Sequence, residues 1–240
     1  MAATSFRSVE RVYRDAPCVF LDCDGVIFDS NGFKLEALRH ALAGFPAPAV
    51  REMEAYWAAN GGVSRYEKLG HFFSEILHTD QVAERVAAAA LRFGEFSRRA
   101  YGDCSPLPEA LRFARLTGAE RCFVVSGTDQ DELREVFVAK QLAPSFAQVC
   151  GSPTSKLAHV QRILDEHGCP AERALFIGDG GGDFAVARRL GVPFIYIDQY
   201  SEWRSAKATL SGVADVLVCE TWSDIFTQLG VEPEAANLQK

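Results

Sequence analysis

Two aspartates stand one residue apart in Asp22-Cys23-Asp24-Gly25-Val26, directly after the apolar run of residues 18–21. Carboxylates at i and i+2 leave an extended strand on the same side. Unpaired carboxylates this close repel each other and are costly to bury. An Asx-type turn at a strand end is one use for such a pair. The chemical use is a division of labour. One carboxylate stays ionised, binds a cation and attacks, while the other holds a proton and acts as general acid, then base.

Three more segments carry chemistry. Ser126-Gly127-Thr128-Asp129 follows another apolar run. A hydroxyl, a glycine and a helix start offer donors to an anion, or an ordinary N-cap. Gly151-Ser152-Pro153-Thr154-Ser155-Lys156 sets a lysine at the opening of a helix, where the dipole disfavours positive charge. Either an anionic ligand faces that lysine or it is solvated. Ile177-Gly178-Asp179-Gly180-Gly181-Gly182-Asp183 brackets three consecutive glycines with aspartates. Such glycines let the backbone turn sharply and approach a ligand closely. The oxygen donors suit a hard cation such as Mg²⁺, and no His/Cys cluster competes for a softer one.

The elements that must position these residues follow from two alternating textures. Short apolar runs at 18–21, 122–125, 174–177, 194–197 and 216–218 suit strands covered on both faces of a parallel sheet. Helical spacing lies between them. Leu157, Val160 and Leu164 step by three and four and stop at Gly168, and Leu133 and Phe137 mark another helix before Pro144. Strand–helix alternation predicts an α/β doubly wound parallel sheet, whose ligands gather beyond the carboxyl ends of the strands. All four polar segments leave such ends or open the helices that follow them.

Residues 30–104 break the alternation. Leu35, Leu38, Leu42 and Phe45, then Tyr66, Leu69, Phe73 and Ile76, then Val82, Val86, Ala89, Phe93 and Phe96 keep helical spacing. Pro46, Pro48, Asn60-Gly61-Gly62 and Asp80 punctuate them, which predicts a bundle of about four inserted helices. Two domains follow: 1–29 with 105–240 as the α/β core, and 30–104 as the helical insertion. The first sixteen residues and the polar tail after Val231 are expected to be peripheral.

Composition narrows the partners. The 240 residues are 48% apolar and 24% charged, near the globular average. Twenty-five Lys and Arg against 32 Asp and Glu give a net charge of −7, with no basic tract, which speaks against nucleic-acid and anionic-membrane partners. No apolar run approaches a bilayer span. Arg7, Arg11 and Arg14 stand near the start without an apolar stretch, so no secretory signal is read. Seven scattered cysteines without a Cys-x-x-Cys pair read as reduced, buried thiols of a cytoplasmic protein.

Asp22-x-Asp24-Gly25-Val26, Ser126, Lys156 and Gly178-Asp179-x-x-x-Asp183, in this order, resemble the four signature elements of the haloacid dehalogenase superfamily. The resemblance covers the whole chain and extends to the branch whose helical cap is inserted after the first element, which holds phosphoglycolate-phosphatase-like enzymes and β-phosphoglucomutase. It implies that Asp22 is the nucleophile, forming an aspartyl phosphate. It implies that Asp24 is the general acid/base, its backbone carbonyl also binding Mg²⁺. Ser126, the amide of Gly127 and the Cys23 position would hold phosphoryl oxygens, and Lys156 would neutralise charge. Asp22, Asp24, Asp179 and Asp183 would form the metal site. Catalysis would then be in-line positioning plus charge neutralisation. Two departures stand out. Lys156-Leu157-Ala158-His159 replaces the Lys-Pro-x-Pro common in that branch, and the metal loop carries three glycines.

Within the insertion, Asn60-Gly61-Gly62-Val63-Ser64-Arg65 resembles the β-phosphoglucomutase cap loop, which presents an arginine to the substrate's distal group. Arg65 is then an anion clamp, or else a solvated arginine at a helix start. Lys68, one turn on, and Lys34, near the entry to the insertion, are further candidates to face the cleft. Hinges are expected near Ser30-Asn31-Gly32 and Ser105-Pro106, so that the cap closes and excludes water. The five histidines form no spaced cluster and read as structural or surface residues. Cys23 should pack its side chain into the core, opposite the two aspartates. The functions in competition are a Mg²⁺-dependent phosphomonoesterase acting on a small phosphorylated metabolite, a phosphosugar mutase on the same scaffold, and a non-catalytic module that binds a phosphorylated ligand. Asp24 disfavours a dehalogenase, which needs no acid at that position.

Overall fold

A computed structural model describes residues 9–231. In chain order its helices and strands are α1 (Val9–Asp15), β1 (Val19–Leu21), α2 (Asn31–Ala41), α3 (Ala47–Ala59), α4 (Arg65–His71), α5 (Val82–Asp103), α6 (Pro108–Thr117), β2 (Cys122–Asp129), α7 (Gln130–Ala139), β3 (Gln148–Ser152), α8 (Lys156–Glu166), β4 (Leu175–Gly178), α9 (Gly181–Leu190), β5 (Phe194–Ile197), α10 (Ala206–Leu210), β6 (Val216–Cys219) and α11 (Trp222–Gln228). The strands form one parallel sheet in the order β3-β2-β1-β4-β5-β6. β3 was not among the expected strands. It lies at the sheet edge with its first two residues half-buried, so it carries only a short apolar signal at Val149 and Cys150.

Both faces of the sheet are covered, which explains why the runs are apolar throughout. Val19, Leu21, Val124, Ile177 and Ile195 pack under α6, α7 and α11, while Phe20, Phe123, Val125, Phe176 and Phe194 pack under α8, α9 and α10. At the amino-terminal end the expectation of a peripheral segment fails. Val12, Tyr13 and Ala16 are buried, and the Tyr13 ring lies 5.3 Å from that of Phe113. The apolar face of α1 fills a gap that the sheet's own helices leave. The tail after Val231 lies outside the described residues.

Four α-helices occupy residues 31–103 among the described residues, and they bury a separate cluster built on Leu38, Met53, Trp57, Leu69, Phe72, Phe73 and Phe93. The expected continuous helix through Ile76 instead widens into a π-helical turn at Phe72–Ile76. Phe72 and Phe73 both face the core there, each ring near Phe45. The two connections to the sheet run side by side, with Phe28 bridged to Pro106 and Leu107 N–H donating to the Ile27 carbonyl at 2.8 Å. The order in which strands are added to the sheet reverses at β1, which is flanked by β2 and β4. The crevice beyond its carboxyl end is where a ligand of this topology sits.

Candidate active site

β1 delivers Asp22 into that crevice, its N–H donating to the Ile177 carbonyl at 3.0 Å. Asp22 is 2% exposed. Its Oδ1 accepts from the Cys23 N–H and from Lys156 Nζ, both at 2.7 Å. The Lys156 ammonium also reaches Asp183 Oδ1 at 2.5 Å. The helix-start lysine is therefore a buried cation clamped between two carboxylates, not a solvated one. Burial alone would lower its pKa, but Asp183 and Asp22 more than reverse that. Ser155 caps α8 by accepting from the Ala158 N–H, so the helix start and the lysine are set together.

Asp22, Asp179 and Asp183 are all buried and offer oxygens within 4.8 Å of one another. Burial, then Asp183, push the Asp22 carboxyl up to about 8 against the pull of Lys156. Burial, then Asp22 and Asp183, raise Asp179 well above the carboxylate range. Three crowded carboxylates against one ammonium lack positive charge. An oxygen-only donor set with that deficit fits a hard divalent cation such as Mg²⁺. Asn31, at the start of α2, holds Asp179 in place, its Nδ2 donating to Oδ2 at 2.7 Å and to the Tyr200 carbonyl at 2.8 Å. Gly25, at φ +79°, turns the chain directly over Asp179, where a Cβ would stand 2.1 Å from Oδ2.

Asp24 departs from the expectation that it holds a proton. Ser30 Oγ donates to it at 2.5 Å, Thr128 Oγ1 at 2.8 Å and Tyr101 at short range, while Lys34 Nζ stands 3.5 Å away. Burial pushes its pKa up, but the Lys34 charge and the three hydroxyl donors outweigh burial and hold the carboxyl down at about 2. In this geometry Lys34 and the three hydroxyls hold Asp24 ionised, while Asp22 lies in a cluster of carboxylates that lacks positive charge. The reason lies in partners from distant parts of the chain, Lys34 and Tyr101 on the insertion and Thr128 on β2.

Ser126 is buried within β2, just past its apolar run, and its Oγ accepts from the Thr128 N–H at 3.0 Å. Gly127 and Thr128 line the cavity together with Asp22, Asp24, Lys34, Arg65, Lys68 and Asp179. The Cys23 side chain packs in the core, as expected, and its N–H is taken by Asp22. His159 is nearly buried, and its Nε2 lies 2.9 Å from the Gly151 carbonyl, a structural role.

Arg65 lines the cavity, yet its charge is already spent. Its Nη2 donates to Glu132 Oε2 at 2.7 Å, and the guanidinium stacks 4.6 Å from the Phe93 ring centroid. Glu132, wholly buried on α7, also accepts from Ser97 at 2.6 Å and stands 3.8 Å from Lys34. Lys68 is in a different position. Its Nζ sits 4.1 Å from the Trp57 ring centroid and reaches the Trp57 carbonyl only at 3.5 Å. Burial, then the charge of Lys156, bring the Lys68 ammonium down to about 7. Asn31, Tyr101, Thr128, Glu132, Trp57, Glu202 and Trp203 were not singled out as site residues from the sequence. Asn31 fell inside the expected hinge, while Glu132 occupies an ordinary helical position that carries no signal.

A model of the haloacid dehalogenase-like hydrolases matches residues 16–191. The chain belongs to this family. The haloacid dehalogenase-like fold extends beyond that match. A haloacid dehalogenase-like family hydrolase from Streptococcus pneumoniae superposes with a TM-score of 0.67 at 16% identity, covering 89% of this chain and 98% of that one. Two curated relatives are phosphoglycolate phosphatases. The one from Mesorhizobium japonicum is 25% identical over 198 residues, 76% of this chain and 82% of its own length. The one from Aliivibrio fischeri is 23% identical over 192 residues, 75% and 83%. Family and relatives together support a phosphatase. Among the described residues, no helix is long and apolar enough to cross a membrane.

Proposed function

We propose that this enzyme is a Mg²⁺-dependent, cytoplasmic phosphomonoesterase that hydrolyses a small phosphorylated metabolite through an aspartyl phosphate on Asp22. Residues 1–29 and 105–240 form the catalytic core and 30–104 the cap. The observation that carries this reading is the clamping of Asp22 by Lys156 beside Asp179 and Asp183, in a cavity floored by Gly127 and roofed by the insertion.

Asp22 attacks phosphorus in line with the leaving oxygen, and the P–O bond to the metabolite breaks as the bond to Asp22 forms. The Ser126 hydroxyl and the Gly127 amide hold the transferring oxygens, and Lys156 offsets their charge. Bound by Asp22, Asp179, Asp183 and the Asp24 carbonyl, Mg²⁺ would supply the positive charge that this carboxylate cluster lacks. Asp24, held ionised by Lys34 and three hydroxyls, is already in the state that takes a proton from water in the second half-reaction. To protonate the leaving oxygen in the first, its carboxyl must gain a proton and turn away from Lys34. A panel of phosphorylated acids and sugars, assayed with Mg²⁺ for phosphate release, tests the function. Release from at least one of them at a catalytic rate is the expected result, and none from any member sinks the reading.

Lys68, unlike Arg65, has no carboxylate at ion-pair distance among the described residues, and a distal anion bound beside it would offset the burial that brings it down to about 7. A short phosphorylated acid, of which phosphoglycolate is the smallest, offers one carboxylate to one ammonium. Losing one charge-assisted hydrogen bond costs about 1.5–3 kcal/mol, or roughly 10- to 150-fold in kcat/KM. Lys68→Met should show that loss on a phosphorylated acid and spare an aryl phosphate, which has no distal anion. Equal losses on both would place Lys68 in the fold or the chemistry instead.

A further inference from the structure

The triple glycine of the metal loop has a division of its own. Gly178 serves the metal carboxylates, since a Cβ there would stand 2.5 Å from Asp183 Cβ. Gly181 faces the Trp203 ring. Gly180 and Gly182 face the insertion. A Cβ on Gly182 would stand 2.5 Å from the Gly61 carbonyl oxygen, and one on Gly180 would stand 2.9 Å from Gly61 C. Gly127, across the crevice on β2, repeats the pattern, with Gly62 O at 2.9 Å and Val63 O at 3.0 Å from its would-be Cβ. These obstacles are backbone atoms of one loop, and backbone does not give way as a flexible side chain would. Contact is also directional, because Gly182 N–H donates to Gly61 O at 3.0 Å. Gly62, at φ +84°, lies over the catalytic pair, and a Cβ on it would meet Asp183 Oδ1 at 3.1 Å and Lys156 Nζ at 3.3 Å.

We propose that Gly127, Gly180 and Gly182 form a backbone seat that docks the loop of residues 60–63 over Asp22, Lys156 and Asp183, and that this seat sets the closed position of the cap. Two side-chain contacts continue the docking along the same segment, Arg65 with Glu132 and Tyr66 Oη with Asp129 Oδ2 at 2.7 Å. The seat accounts for Gly180 and Gly182, the two loop glycines that face the insertion. It also makes Gly182 a positioning residue: without its missing Cβ the loop cannot settle. The inference uses the proposed function only for its consequence in turnover, where a lid held off its seat should lower kcat/KM by about 100-fold.

The decisive readouts do not depend on turnover. Gly182 N–H lies in the first turn of α9, where a helix supplies no partner of its own. In the wild-type protein its hydrogen exchange, followed by NMR, should be slowed at least about tenfold by the Gly61 carbonyl. Gly182→Ala should fold, since alanine in a helix ordinarily raises stability over glycine. Acrylamide should then quench its tryptophan fluorescence more strongly than in the wild type, because Trp57 and Trp203 line the cavity while Trp222 is 1% exposed. A Gly182 amide that exchanges at the rate of an uncovered one overturns the proposal, as does wild-type quenching in folded Gly182→Ala. Should that variant fail to fold, the wild-type exchange measurement decides alone. A negative phosphate-release panel would end the proposed function and leave the seat standing.

Discussion

Asp22→Asn is expected to lower kcat by at least about 10⁴-fold, the scale on which removing a nucleophile acts when only binding and charge stabilisation remain. The change keeps the side chain's shape and removes its attacking oxygen. Stability should move the other way or not at all. The environment of Asp22 disfavours its charge on balance, since burial and Asp183 outweigh Lys156 and raise the carboxyl to about 8. A group whose folded pKa lies above its unfolded one contributes stability at low pH and loses it as pH rises through the folded value. Above pH 8, without metal, Asp22→Asn should therefore melt no lower than the wild type, and the wild type should lose more stability than the variant on the way there, since Asp179 still titrates in both. Thermal melts across pH 6–9, beside phosphate release with Mg²⁺, check both halves. Full turnover in the variant removes Asp22 from its role, and a sharply lowered melting temperature would mean that the Lys156 pairing matters more than the repulsion.

The second large effect concerns the cation. Three buried carboxylates with one ammonium among them should take up Mg²⁺ and be stabilised by it. At a Mg²⁺ concentration 100-fold above Kd the gain is about 2.7 kcal/mol. For a chain of this size that is roughly 5–10 °C in Tm, at 2–4 °C per kcal/mol. Excess chelator should reverse the shift and abolish phosphate release. Asp179→Asn should shrink the shift, because it removes one oxygen donor with full charge and leaves Asn31 facing an amide. A Tm indifferent to Mg²⁺, together with turnover undiminished in chelator, would dismantle the metal site. A shift that survives Asp179→Asn at full size would instead move the cation to other ligands.

The chemistry-bearing residues were legible because strands and the turns after them are local. An apolar run of four residues followed by Asp-x-Asp fits the carboxyl edge of a covered sheet, and the same holds for Ile177-Gly178-Asp179. That Asp22, Lys156, Asp179 and Asp183 converge follows from parallel strands sharing one edge, a consequence of topology that alternation already implied. Three of the four inserted helices declared themselves by spacing, since each had to bury one stripe on its neighbours, while α3 carried no spacing that was read.

What only the tertiary structure decided is how charges pair across long separations. Nothing near residue 65 announces that Glu132, 67 positions later, takes up the arginine's charge, while Lys68 finds no carboxylate at ion-pair distance among the described residues. Nothing near Asp24 announces Tyr101 and Thr128, whose hydroxyls, with Lys34, hold its carboxyl ionised. Pairing energies depend on distance and burial, and both are set by packing rather than by neighbours in sequence. Gly180 and Gly182 belong to the same class. Their loop reads as unexplained flexibility until the loop of residues 60–63 is seen resting on it, because the space a missing Cβ leaves is defined by whatever the fold brings against it.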